Sequence, residues 1–305
     1  MRTIRYPCVS VCVLLSTAAL AQSPQRPAPP NDDPARAALV AAVRAAHGAP
    51  APGEGTAVAD FRAGVVVTPH TRDVDSVAVR LDVTYLAARS LVRFALAERG
   101  TTVELGRDRR GFWHRDKQGN VSALGELGTE TEIEDIRRYA ALCRQLLRFL
   151  DPAVLIEGMT DAGPVEERTF KIGARTEVPC RTIRGRIASM PVFHRVADGA
   201  KDRGARDDGA AFVRLYFSRK DDRLTALEIA PIRADGTASP HVEQIRITGY
   251  SERAGRAIPD KLWITTDVAA ASPSDARPTK QIVEIKLDEF RPDAGLRAVD
   301  LDRPR

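Results

Sequence analysis

Residues 77–121 read VAVRLDVTYLAARSLVRFALAERGTTVELGRDRRGFWHRDKQGNV, and they decide the fold class. Val77, Val79, Leu81, Val83 and Tyr85 take every second position with Ala78, Arg80, Asp82 and Thr84 between them, the period of a strand with one buried face. Val92, Phe94 and Leu96 repeat the pattern, Arg99-Gly100 turns the chain, and Val103 and Leu105 resume it before Arg110-Gly111 leads into Phe112 and Trp113. The stretch is one antiparallel meander, and it builds a curved sheet.

Upstream, Val58 to Val67 is a further strand centred on Phe61. Before it, Asp33-Pro34 sets an N-cap and a first-turn proline for a helix over Ala35 to His47, which Gly48 and Pro50 end. Downstream the period changes. Ile133, Ile136, Ala140, Cys143, Leu147 and Leu150 recur at three- and four-residue spacing, predicting a helix from Glu130 to Asp151. Its opening carboxylates, Glu130, Glu132, Glu134 and Asp135, suit the positive end of the helix dipole. Strand periodicity returns at Phe170 to Ile172, Cys180 to Ile187, Val213 to Ser218, Leu224 to Ile232, Val242 to Tyr250, Leu262 to Val268 and Ile282 to Phe290. About eleven short strands, with one helix before them and one inserted midway, predict a mainly β chain: a single large antiparallel sheet or open barrel, with a sandwich as the alternative.

The first residues carry Arg2 and Arg5, an apolar run from Val9 to Leu20, and Ala19-Leu20-Ala21 as an A-x-A cleavage signal. Residues 1–21 therefore read as a secretory signal peptide cut after Ala21, residues 22–33 as a Pro-rich tether, and 34–305 as one domain. Neither Cys8 nor Cys12 sits behind the triplet that would make it a lipidated cysteine, so the expected mature protein starts at Gln22 without a lipid anchor. No later apolar run approaches the roughly 18 residues needed to span a bilayer.

Without the leader the chain holds 44 basic and 41 acidic residues, interleaved nearly everywhere. A nucleic-acid surface needs a basic stripe with aromatics in it, whereas Arg107-Asp108-Arg109-Arg110 and Lys201-Asp202-Arg203 alternate in sign and read as solvated turns. The histidines at 47, 70, 114, 194 and 241 show no metal-ligand spacing. Ser90, Ser122 and Ser218 lack a nucleophile elbow, no Gly-rich phosphate loop follows a strand, and no cofactor is expected. Cys143 and Cys180 remain in a compartment that permits disulfides; they either pair or stay as buried thiols.

The order of these elements resembles the family of the periplasmic lipoprotein carrier LolA and the outer-membrane receptor LolB over roughly Pro34 to Asp293. The resemblance is carried by Val92-Arg93-Phe94, Gly111-Phe112-Trp113 with Asp116, Phe217-Ser218-Arg219 before Leu224, and Ile258-Pro259 before Leu262-Trp263. It implies a half-open β-barrel closed by a helical lid over an apolar cavity, in a periplasmic, non-enzymatic protein that takes part in lipoprotein transport and outer-membrane biogenesis. The implied partners are acyl chains of lipids or lipoproteins, and envelope proteins. The expected cavity lining is Val79, Leu81, Val83, Phe94, Leu96, Trp113, Ile136 and Leu147, with Tyr85, Phe217 and Trp263 as further large side chains; ordinary core is the other reading of all of them. The segments Ala162 to Pro179 and Asp198 to Gly209 make this chain longer than the carriers. Two other functions stay open: a secreted β-domain with a filled core that contacts other proteins, and a hydrolase whose residues meet only in space.

Overall fold

The computed structural model describes residues 33–50, 58–70, 78–98, 101–124, 130–172, 176–192, 208–233, 235–239, 242–268 and 279–304. The leader, the tether up to Asp33, His194, His241 and the 198–207 loop lie outside them.

The chain enters through α1 (Pro34–His47). Asp33 Oδ1 accepts from the Ala35 amide at 2.9 Å, and Gly48 closes the helix in the left-handed conformation at φ 63°. A side chain could not follow there: a Cβ on Gly48 would stand 1.9 Å from the Gly255 carbonyl oxygen. Next come β1 (Asp60–His70), β2 (Val79–Leu86), β3 (Leu91–Glu98), β4 (Thr101–Asp108), β5 (Gly111–Arg115) and β6 (Val121–Ala123), each pairing antiparallel with the one before. The helices α2 (Glu130–Leu150) and α3 (Ala153–Glu157) interrupt the strands. Then follow β7 (Glu166–Ile172), β8 (Thr176–Pro191), β9 (Asp208–Ser218), β10 (Leu224–Pro231), β11 (Glu243–Ile247), the ribbon β12 (Tyr250–Arg253) and β13 (Arg256–Pro259), β14 (Lys261–Val268) and β15 (Thr279–Pro292).

The strand order is β6-β5-β4-β3-β2-β1-β15-β14-β11-β10-β9-β8-β7. The chain meanders outward from β1 to one edge, crosses through α2 and α3 to the opposite edge, and meanders back until β15 lies beside β1. Among the described residues the edge strands do not pair with each other, and the sheet is an open, mainly β half-barrel with a helical cover, as expected. Laid flat, thirteen strands would be about 58 Å wide. The 21-residue α2 is only about 31 Å long. The crossing works because the sheet curls around it.

The strand count exceeds the expected eleven for local reasons. β6 is too short to show a period. Gly249, at φ 88°, bends the chain at the end of β11, so the expected strand to Tyr250 splits and the separate ribbon begins. The expected strands at Phe170 to Ile172 and Cys180 to Ile187 are present and longer, as β7 and β8, and take up much of the 162–179 segment.

One large apolar cluster fills the concave side, with Leu39 and Val43 of α1, Ile136, Cys143 and Phe149 of α2, and inward residues from β1 to β15. The convex side carries two small clusters: Phe170, Cys180, Tyr216 and Ala226, and, under the C-terminal tail, Leu91, Leu296 and Leu301. No helix among the described residues is long and apolar enough to cross a membrane.

Candidate ligand-binding site

Directly paired residues of antiparallel strands share a face. Val83 pairs with Phe94, Phe94 with Leu105, and Leu81 with Leu96, which places Leu81, Val83, Phe94 and Leu96 on the concave side. Val79 has the same parity. The amphipathic α2 covers this face: Tyr139 lies against Phe94 with ring centroids 5.3 Å apart, and the Arg137 guanidinium stands 5.7 Å from the centre of the Phe112 ring. At its other end α2 reaches β8 and β11. Arg148 donates to the Ser189 carbonyl at 2.9 Å, and Gln145 Nε2 donates to the Pro191 carbonyl at 2.7 Å and to Glu243 Oε1 at 3.1 Å.

The site residues expected from sequence divide into three groups. Leu81, Val83 and Phe94 of the sheet and Ile136 of α2 are buried in one cluster, with Val79 and Leu96 half-buried against it. Leu81 and Ile136 are 0% exposed, so neither touches a water-sized void: at these positions the barrel is filled. Leu147 turns away from the centre to line a cleft of about 180 Å³ with Pro50, Val58, Leu150, Val154 and Arg256.

Trp113 departs from the expected set. It pairs with Gly106, which pairs with Arg93, so it sits on the convex face, fully buried, with its ring over Gly106. Trp263 pairs with Arg246 and Glu284, also on the convex side, and stacks on His70 with ring centroids 5.3 Å apart. Aromatic bulk marked both residues, but strand alternation cannot say which face a helix will cover.

The cysteines are not joined. Cys143 is buried on the concave side and Cys180 in a convex cluster, on opposite sides of the sheet, and both are free. Burial pushes the Cys143 thiol well above its ordinary value, which leaves it unreactive. Among the described residues no group of three or more His, Cys, Asp or Glu could hold a metal ion. His47 is a structural residue: one ring nitrogen bonds the Val43 carbonyl at 2.9 Å, the other accepts the Leu224 amide at 3.4 Å, and Tyr250 meets the ring edge-on. Burial lowers its pKa to about 4. The C-terminal end of α1 is thus pinned to β10 by a neutral imidazole. Of the carboxylates at the start of α2, only the Asp135 side chain is among those described.

Sequence reasoning passed over Gln145, Glu243 and Thr266, three buried polar residues at the far end of α2. A signal was present. Glu243 shares the parity of inward Ile245 and Ile247, Thr266 that of Leu262 and Ile264, and Gln145 lies within the buried stripe of α2. Each is a polar residue at a position the pattern reserves for an apolar one.

No family model matches this chain, and no curated protein matches its sequence. Among solved structures it is similar to the LolA superfamily protein NE2245 from Nitrosomonas europaea, at 13% identity over 88% of this chain and 98% of that one, with a TM-score of 0.40. Weaker likenesses are to lipovitellin, at 7% identity over 76% of this chain and 25% of that one with a TM-score of 0.22, and to MucB in complex with MucA, at 9% over 85% and 98% with a TM-score of 0.17.

Proposed function

We propose that this chain is an exported, non-enzymatic carrier or receptor that holds an acyl chain of a lipid or lipoprotein between α2 and the concave face of its sheet. We place it in the periplasm, with the leader removed after Ala21. One observation carries the reading: the apolar concave face of a curled, open sheet is covered by helices, and α2 among them is tied by polar contacts to β8. Displacing such a cover exposes a surface on which each buried CH₂ contributes about 0.8 kcal/mol, enough to hold a long chain with few polar contacts. Because Leu81 and Ile136 have no accessible surface, a bound chain replaces contacts of α2 instead of entering a standing hollow.

That filled core also favours a second reading, a β-domain that contacts other proteins and carries no cargo. A pyrene-labelled monoacylglycerol separates the two. On the carrier reading it binds saturably and speeds modification of Cys143 on α2 by a neutral thiol reagent, while Cys180, in its separate cluster, stays protected. Absence of saturable binding rejects the carrier and leaves the interaction domain.

A further inference from the structure

Gln145, Glu243 and Thr266 are 0%, 3% and 2% exposed and come from α2, β11 and β14. Gln145 Nε2 gives its hydrogens to the Pro191 carbonyl and Glu243 Oε1. Turning the amide over would set its oxygen against a carbonyl and a carboxylate, so the orientation is forced. Gln145 Oε1 is therefore committed to a buried position where it has no hydrogen-bond partner. Thr266 pairs directly with Glu243 across β11 and β14 and so shares its inward face, and Thr266 Oγ1 has no partner either. Two orphaned polar atoms beside a buried carboxylate are a standing desolvation penalty, and a matching ligand group would remove it.

We propose that these three residues form the head-group site for the chain held under α2, taking a neutral hydrogen-bond donor, a hydroxyl or an amide N–H, and discriminating against a carboxylate head. The proposal rests on the carrier reading above. A hydroxyl or amide hydrogen satisfies Gln145 Oε1, and a head-group oxygen takes the Thr266 hydroxyl hydrogen. A carboxylate offers no hydrogen to Gln145 and meets Glu243 as a like charge. The position suits the role. From Gln145 the helix runs back about 9 Å to Tyr139, so a chain whose head lies at Gln145 can follow the apolar face toward Phe94.

The test displaces the pyrene-labelled monoacylglycerol with dodecanol, N-dodecylacetamide or dodecanoate at pH 8, using the mature chain and two variants. Thr266→Val removes only an orphaned hydroxyl, so the fold keeps its melting temperature, while the affinities for dodecanol and the amide fall about tenfold, as for a lost hydrogen bond. Glu243→Gln raises dodecanoate affinity about tenfold. Unchanged dodecanol and amide affinities in Thr266→Val, or no gain for dodecanoate in Glu243→Gln, would overturn the site while leaving the carrier reading intact. If no dodecyl compound and no labelled probe binds even the unaltered chain, carrier and site fall together, a result distinct from binding that ignores the head group.

Discussion

The concave and convex faces of the N-terminal strands are made by the same residues in alternation and are buried by opposite means. On the concave side Leu81, Val83 and Phe94 meet helices and form one apolar mass. On the convex side burial is local and polar contacts are built into it. Arg93 pairs with Glu104 at 2.6 Å, Asp108 is gripped by the Arg303 amide and guanidinium, and the tail residues Leu296 and Leu301 cover Leu91. Burial opposes the charged form of Asp108, but hydrogen bonds from Arg303 and the Arg110 amide outweigh it and hold the carboxyl at about 2. The difference teaches that the concave core is non-directional and tolerant of exchange between protein and ligand surfaces, whereas the convex clamp depends on particular partners.

The contrast can be broken most forcefully at Leu81→Glu, which buries an unpaired carboxylate and should cost about 4 kcal/mol or more in chemical denaturation. A fold that kept its stability would show the concave face to be hollow. Arg303→Ala leaves the Asp108 carboxylate, whose side chain is 1% exposed, without its ion-pair partner and should cost about 3 kcal/mol. An unchanged midpoint would mean that the tail does not hold the convex face.

Acid should loosen the two sides in order. His47 has a folded pKa of about 4 against 6.5 unfolded, so the unfolded chain binds its proton first as pH falls. Stability is then lost between pH 6.5 and 4, by about 3 kcal/mol. Asp108 stabilises above its unfolded value of 3.8 and loses that contribution only as pH drops toward 2, by about 2 kcal/mol. Denaturation curves at stepped pH should show the first loss vanish in His47→Gln and the second in Asp108→Asn.

Gly106→Ala sharpens the placement of Trp113, because the new Cβ would lie 2.6 Å from the indole ring. Overpacking should cost about 2 kcal/mol and alter the near-ultraviolet circular dichroism of the tryptophans. The smallest effect belongs to Asp82→Lys: this side chain, next to Leu81 but facing outward, is 71% exposed, and the change should stay within about 0.5 kcal/mol. A larger shift would reveal an unrecognised contact on the convex face.

The residues by themselves determined most of the strands, their order along the chain and the two long helices, but not the short β6 or the β12–β13 ribbon. These follow from local periodicity and from turns such as Arg110-Gly111, and neither needs a distant partner. They also determined which side chains share a face: Leu81, Val83, Phe94 and Leu96 stand together as alternation requires. Which face is roofed was settled only when α2 carried the chain from β6 to β7 across one side of the sheet. That crossing sent Trp113 to the far side and Cys143 and Cys180 to opposite sides. It also brought Gln145 together with Glu243, 98 residues further along the chain, and with Thr266 beyond it. Periodicity is a property of neighbours along one chain segment, whereas a shared buried site requires segments that meet only after the sheet has curled.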